Sequence, residues 1–179
     1  MREAKDPFAV RGTVESYREN LIWNNSGNLV FSQALHKILE TPGSTVTSWH
    51  PSSSAEAIAR ANEEHDVVVL PLANAFRLSF EGALKRLTRM IEKLTVPVVV
   101  VGVGAQCGIS YDSSRLAPME PTVRRFMDAV LDRSASVGVR GECTAAYLRS
   151  LGYRDVEEIG CPSMFHHLDR FPEIRRVER

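Results

Sequence analysis

The sequence predicts an α/β fold, a Rossmann-like, mostly parallel sheet with helices on both faces. Three observations carry that expectation. Short β-branched runs alternate about six times with segments of helical periodicity, the pattern of βαβ units. The run Val96–Val101 is apolar with no polar alternation, as in a strand buried on both faces. The strands give way to turns rich in Gly, Asn and Ser, at the edge where open α/β sheets bind ligands.

The elements follow in order. Residues 1–19 are charged and aperiodic, and read as a tail or loosely docked segment; residues 20–179 read as a single Rossmann-like domain. Leu21, Ile22 and Trp23 predict a first strand over Asn20–Asn24, and Asn25–Asn28 a turn. Val30, Phe31, Ala34, Leu35 and Ile38 recur at helical spacing, with Ser26 or Asn28 as cap and Pro42-Gly43 as stop. Thr45–Trp49 predicts a second strand. A helix over Ala55–Glu64 is capped from Ser52–Ser54, and Asp66–Leu70 predicts a third strand. Pro71–Ser79 reads as a loop and Phe80–Leu94 as a helix with Leu84, Leu87, Ile91 and Leu94 along one side.

Val96–Val101 is the central strand. Pro97 lacks a donor but is tolerated at a strand's first residue, and valine's stiff χ1 suits a pleated surface. Gly102 and Gly104 then let the backbone turn and approach a neighbour closely. A loop over Gln106–Pro118, a helix over Glu120–Ser134, a strand over Ser136–Val139 and a helix over Gly141–Leu151 follow. Gly152 reads as a C-cap, Asp155–Ile159 as a sixth strand, and Met164–Leu168 as a turn of helix.

Charge excludes little but points nowhere basic. The 22 basic and 22 acidic residues cancel without a long run of either sign, so nucleic acid is not an expected partner. No apolar stretch is long enough for a signal peptide or a membrane span, and the expected location is cytoplasmic. Cys107, Cys143 and Cys161 are odd in number, widely spaced and lack a CxxC pair. That argues against a disulfide framework and a structural zinc site, and favours three small thiols. His166 and His167 are adjacent, hence face different ways; His36, His50 and His65 lie on a helix or beside turns. None accompanies a nucleophile in a triad setting, and no metal site is expected.

Four loops leave the carboxyl ends of strands with polar groups: Asn25–Asn28, Pro71–Arg77, Gly104–Gln106 and Arg140–Thr144. In a parallel sheet all four open onto one edge. Arg140 sits where a strand becomes a helix, a place where a guanidinium and helix amides suit a phosphate or carboxylate; a salt bridge to Glu142 is the structural alternative. The glycines are no dinucleotide fingerprint, because Gly102, Gly104 and Gly108 miss the G-x-G-x-x-G spacing by one residue. No P-loop occurs.

Five strings then stand in order: S-G-N-L-V-F-S-Q-A-L at Ser26, D-V-V-V-L-P-L-A-N-A-F-R at Asp66, P-V-V-V-V-G-V-G-A-Q at Pro97, S-V-G-V-R-G-E-C-T-A-A-Y-L at Ser136 and I-G-C-P-S at Ile159. Together they resemble the polysaccharide pyruvyl transferase family over Leu21–Met164, the V-R-G-E-x-T-x-x-Y-L string being the most specific. The resemblance implies one half of a glycosyltransferase-B-like fold. It implies transfer of the pyruvyl group of phosphoenolpyruvate onto two hydroxyls of a polysaccharide or glycan precursor, giving a cyclic ketal, with no metal or organic cofactor. It marks Arg140 as the contact to the phosphoenolpyruvate anion. Asn25, Gly27, Asn28, Asn74, Arg77, Gly104, Gln106 and Glu142 are the expected substrate-binding residues by loop position. The family's usual chain is about twice this long and draws a histidine and further basic residues from its second half, so the expectation is a first domain completed by a second domain or a homo-oligomer. The alternatives are a non-catalytic or truncated α/β module binding a sugar or small anion, and a nucleotide-sugar glycosyltransferase fragment.

Overall fold

The computed structural model describes residues 27–48, 54–108 and 112–167. The expected first strand, Asn20–Asn24, and Asn25 lie outside them. The chain divides into two compact units, one within Met1–His50 and Cys161–Arg179, the other within Pro51–Gly160.

In the first unit, helix α1 (Gly27–Leu39) buries Phe31, Ala34 and Leu35. It packs against a 3₁₀ turn, Pro162–Phe165. His166 Nε2 lies 2.9 Å from Gln33 Oε1, tying the turn to the helix. Two expectations change here. Asn28 lies inside α1, not in a turn before it. Ser44–Ser48 forms no strand; Thr41 and Ser44 instead close a turn, with the Thr41 amide donating to Ser44 Oγ at 2.9 Å, and His36 reaches Ser48 Oγ at 2.9 Å.

The second unit is the α/β body. Helix α2 (Ala55–Glu64) starts at Ser54, whose hydroxyl accepts from the Ala57 amide at 3.2 Å, and buries Ala57, Ile58 and Ala61. Strand β1 (Val68–Pro71) pairs in parallel with β2 (Val98–Val101), Val68 opposite Val98 and Pro71 opposite Val101. Strand β3 (Val137–Val139) pairs in parallel with β4 (Val156–Glu158). A bridge between Val103 and Val139 joins the two pairs, with the Val103 amide on Gly138 O at 3.1 Å and the Arg140 amide on Val103 O at 2.9 Å. The strands therefore follow one another in chain order as an open parallel array. A helix bridges each step: α3 (Glu81–Ile91), α4 (Glu120–Leu131) and α5 (Glu142–Ser150).

The core sits between this array and the helices. Val98, Val100, Leu84, Ile91, Phe126, Met127, Val137 and Leu148 are all at most 1% exposed. Phe76 anchors the centre, edge-on to Phe126 at 5.9 Å and to Tyr147 at 6.4 Å, the arrangement aromatic quadrupoles favour. Gly138 explains the glycine in S-V-G-V-R: a Cβ there would stand 2.8 Å from Val100 O and 2.5 Å from Ile159 Cδ1. One expectation is narrowed. The valine run is buried on one face only, for Val99 is 41% exposed while Val98 and Val100 are shut away. Arg133 clamps the start of β2, donating to Leu94 O at 2.7 Å and Glu92 O at 3.0 Å.

Candidate functional site

Three loops leave the carboxyl ends of β1, β2 and β3 and meet. Beyond β2 the chain turns at Gly102 (φ 66°), and Gly104 slides under the loop after β1. A Cβ on Gly104 would lie 2.8 Å from Ala73 O and 3.0 Å from Asn74 Oδ1, so only glycine lets the two loops touch. The Phe76 amide donates to Gly104 O at 3.1 Å and the Gln106 amide to Phe76 O at 2.9 Å, which zips these loops together past the strands. The Ala105 amide donates to Thr144 Oγ1 at 2.9 Å, joining the loop after β2 to the first turn of α5.

Arg140 emerges from β3 into this junction. Its Nη1 donates to Asn74 Oδ1 at 3.2 Å. Asn74, Gly104, Arg140 and Glu142 line one cavity of about 390 Å³, with Cys143 and Thr144 on its wall. At its side α5 begins at Gly141 with no side-chain cap. First-turn amides of a helix have no intrahelical acceptor, and the macrodipole favours negative charge there. A half-buried guanidinium beside an uncapped helix start makes a setting for a small anion. Glu142, exposed on the same cavity, is the one carboxylate among its lining residues.

Arg77 and Gln106 fall into a neighbouring cavity of about 280 Å³, which they share with Ser79, Cys107 and Arg115. Arg77 stacks over the Phe80 ring, its Cζ 5.2 Å from the centroid. The carboxylate nearest Arg115 in sequence, Asp112, is occupied by Ser114, whose amide and hydroxyl hold it at 2.9 and 2.8 Å. Those two bonds, the amide's first, keep Asp112 below the usual carboxylate range. So the expected substrate-binding set divides. Asn74, Gly104 and Glu142 gather with Arg140; Arg77 and Gln106 line the adjoining hollow; Gly27 and Asn28 open α1 in the other unit; Asn25 is outside the described residues.

Sequence reasoning missed Thr144 and the cysteine pair. Thr144 reads as a helix opener in the string R-G-E-C-T, yet it is 3% exposed and clasps the Ala105 amide. Cys107 and Cys143, expected as separate thiols, are joined as a disulfide, while Cys161 is free. The signal was present: Cys107 directly follows the loop Gly104–Gln106 and Cys143 lies within Arg140–Thr144, two loops expected to open onto one edge. Among the described residues no cluster of three or more His, Cys, Asp or Glu side chains could hold a metal ion, and no helix is long and apolar enough to cross a membrane.

A family model for polysaccharide pyruvyl transferase matches residues 11–177. Comparison with curated proteins and with solved structures returned no match. The match spans both units and takes in every residue of the Arg140 cavity, and on its extent the chain belongs to the polysaccharide pyruvyl transferase family.

Proposed function

We propose that this chain takes the pyruvyl group of phosphoenolpyruvate to hydroxyls of a polysaccharide or glycan precursor, and that the Arg140 cavity holds the donor. The observation that carries the reading is the convergence of Arg140, Asn74 and the uncapped start of α5 on one cavity at the carboxyl edge of parallel strands. A carboxylate or phosphate placed there accepts from the guanidinium and from helix amides at once. The parallel array fits one half of a glycosyltransferase-B-like fold, and a second domain or a second copy supplies the facing wall for the acceptor.

The chemistry is the addition of an alcohol to an enol phosphate. A proton goes to the methylene carbon, which becomes the methyl group, and positive charge develops at the adjacent carbon. One sugar hydroxyl adds there, phosphate departs, and a second hydroxyl closes the cyclic ketal. Both steps shed their protons to base. Arg140 stabilises the anion as charge is redistributed, and it is not the source of the proton. Removing a charge-stabilising donor of this kind costs about 10²–10³ in turnover.

Arg140→Ala is therefore expected to lower phosphate release from phosphoenolpyruvate by that factor, with Arg140→Lys recovering part of it, since lysine keeps the charge and loses the fork. Unchanged turnover in Arg140→Ala removes the role. Calorimetry on the unmodified chain separates the binding module from the enzyme: heat with phosphoenolpyruvate but no phosphate release in the presence of acceptor glycans supports the module. A thermal shift with a nucleoside diphosphate and none with phosphoenolpyruvate supports the glycosyltransferase fragment.

A further inference from the structure

Cys107 and Cys143 are 36 positions apart and bonded to each other. Their placement is specific. Cys107 lines the Arg77–Arg115 cavity and Cys143 lines the Arg140 cavity, so the bond stands between the two hollows. It ties the loop after β2 to the first turn of α5. Both residues are half-buried, within reach of a small attacking thiol.

The two anchors differ in how firmly the rest of the fold holds them. Cys143 belongs to α5, whose next residues, Thr144 and Ala145, are buried. On the other side, among the described residues Gln106 is the last of this loop with a backbone amide bonded into the body, to Phe76 O. The next amide bond is local, from Gly108 to Asp112 O at 3.3 Å. A bond between the two cysteines makes the position of this loop and the first turn of α5 depend on each other.

We propose that Cys107–Cys143 is a reversible thiol–disulfide site that governs anion binding in the Arg140 cavity, the closed bond holding the wall in its binding form. The second half of this inference rests on the donor reading above; the first half does not. The closing step uses a small disulfide, RSSR. One cysteine thiolate attacks it, expelling RS⁻ and leaving a mixed disulfide. The second cysteine thiolate attacks the protein sulfur of that mixed bond and expels the other RS⁻. Two electrons pass from the cysteines to RSSR, and the two cysteine protons end on the released thiols. A dithiol runs the sequence backwards.

The test uses the full chain, incubated natively with glutathione disulfide or with dithiothreitol, then denatured and labelled with a maleimide of high mass. With three cysteines in the chain and Cys161 free, one label is expected after the disulfide and three after the dithiol. Calorimetry with phosphoenolpyruvate on both forms should show binding weakened about fivefold or more by reduction, the range of ordinary site-to-site coupling. Cys107→Ser and Cys143→Ser should each bind like the reduced form in either buffer. Three labels after glutathione disulfide, or one after native treatment with dithiothreitol, overturns the reversible bond. Equal affinity in the two forms overturns its control of the cavity. Absence of phosphoenolpyruvate binding in both forms overturns the donor reading and the control together, while the label count still decides the bond.

Discussion

A single missing carbon at residue 104 sets how closely two loops of this protein approach. Gly104→Ala would drive a methyl group against the Ala73 carbonyl at 2.8 Å, and backbone on both sides must yield. Overpacking of this kind costs about 1–3 kcal/mol. The variant is expected to unfold at lower urea concentration and to lose phosphoenolpyruvate affinity, because Asn74, which accepts from Arg140, moves with Ala73. Unfolding curves and calorimetry on one preparation check both. Retained affinity in a destabilised variant would detach Asn74 from the site. At this scale the sequence was legible where chemistry is local to a loop: Arg140, Asn74 and Gly104 could be brought together by strand-end position alone. It was not legible where a contact spans the fold. Thr144 reads as an ordinary helix-start threonine until Ala105, 39 positions away, is laid against it.

Among the elements, helix identity was the most legible. Ala55–Glu64 appears with the bounds its Ser cap and alanine spacing predict; β2, β3 and β4 are trimmed by one or two residues, while β1 starts two residues later than expected and runs on into Pro71. The valine run shows the limit. Four identical residues, Val98–Val101, contain no alternation to read, yet the pleat sends Val98 and Val100 into the core and leaves Val99 41% exposed. Thr45–Ser48, the described part of the expected second strand, shows another limit, since propensity alone cannot supply a neighbouring strand to pair with. Between elements, the Arg125–Glu92 pair links α4 to the end of α3, with Nε and Nη2 donating at 2.7 and 2.8 Å. The bonds from Arg125 hold the Glu92 carboxyl below its ordinary value of 4.5, against a smaller opposing effect of burial. A folded-state value depressed in this way contributes stability that is complete above the unfolded value and lost as pH falls through the folded one. The urea midpoint should therefore fall as pH is lowered past about 4.5, and fall less in Glu92→Gln. Parallel pH profiles for the two proteins would contradict this.

At the scale of the whole molecule, the loops that line the Arg140 cavity leave one edge of an open parallel array. The order of strands is the order of the sequence, so each βαβ step delivers one more loop to that edge. The parallel alternation behind this was legible from periodicity; the division of the expected ligand residues between two cavities was not, because Arg77 and Asn74 are three positions apart on a loop whose path no periodicity encodes. Family membership, foreshadowed by strings of residues in order, is shown by the family model over residues 11–177, and the anion-holding role proposed for Arg140 rests on where β3 ends.

The bare start of α5 has a consequence for how this protein trades robustness against activity. Gly141 is extended (φ 176°), and a Cβ added there meets nothing within 4 Å. Gly141→Asp is thus free to cap the helix and should raise the melting temperature slightly, by the few tenths of a kcal/mol that separate glycine from a good cap. The same carboxylate would occupy the amides that a donor anion needs and repel it, so turnover should fall as the melting point climbs; a variant that gained both would show that the helix start is not where the donor sits. On the donor reading proposed above, the substrate itself serves as the missing cap, and catalytic competence is stored as an unfinished helix.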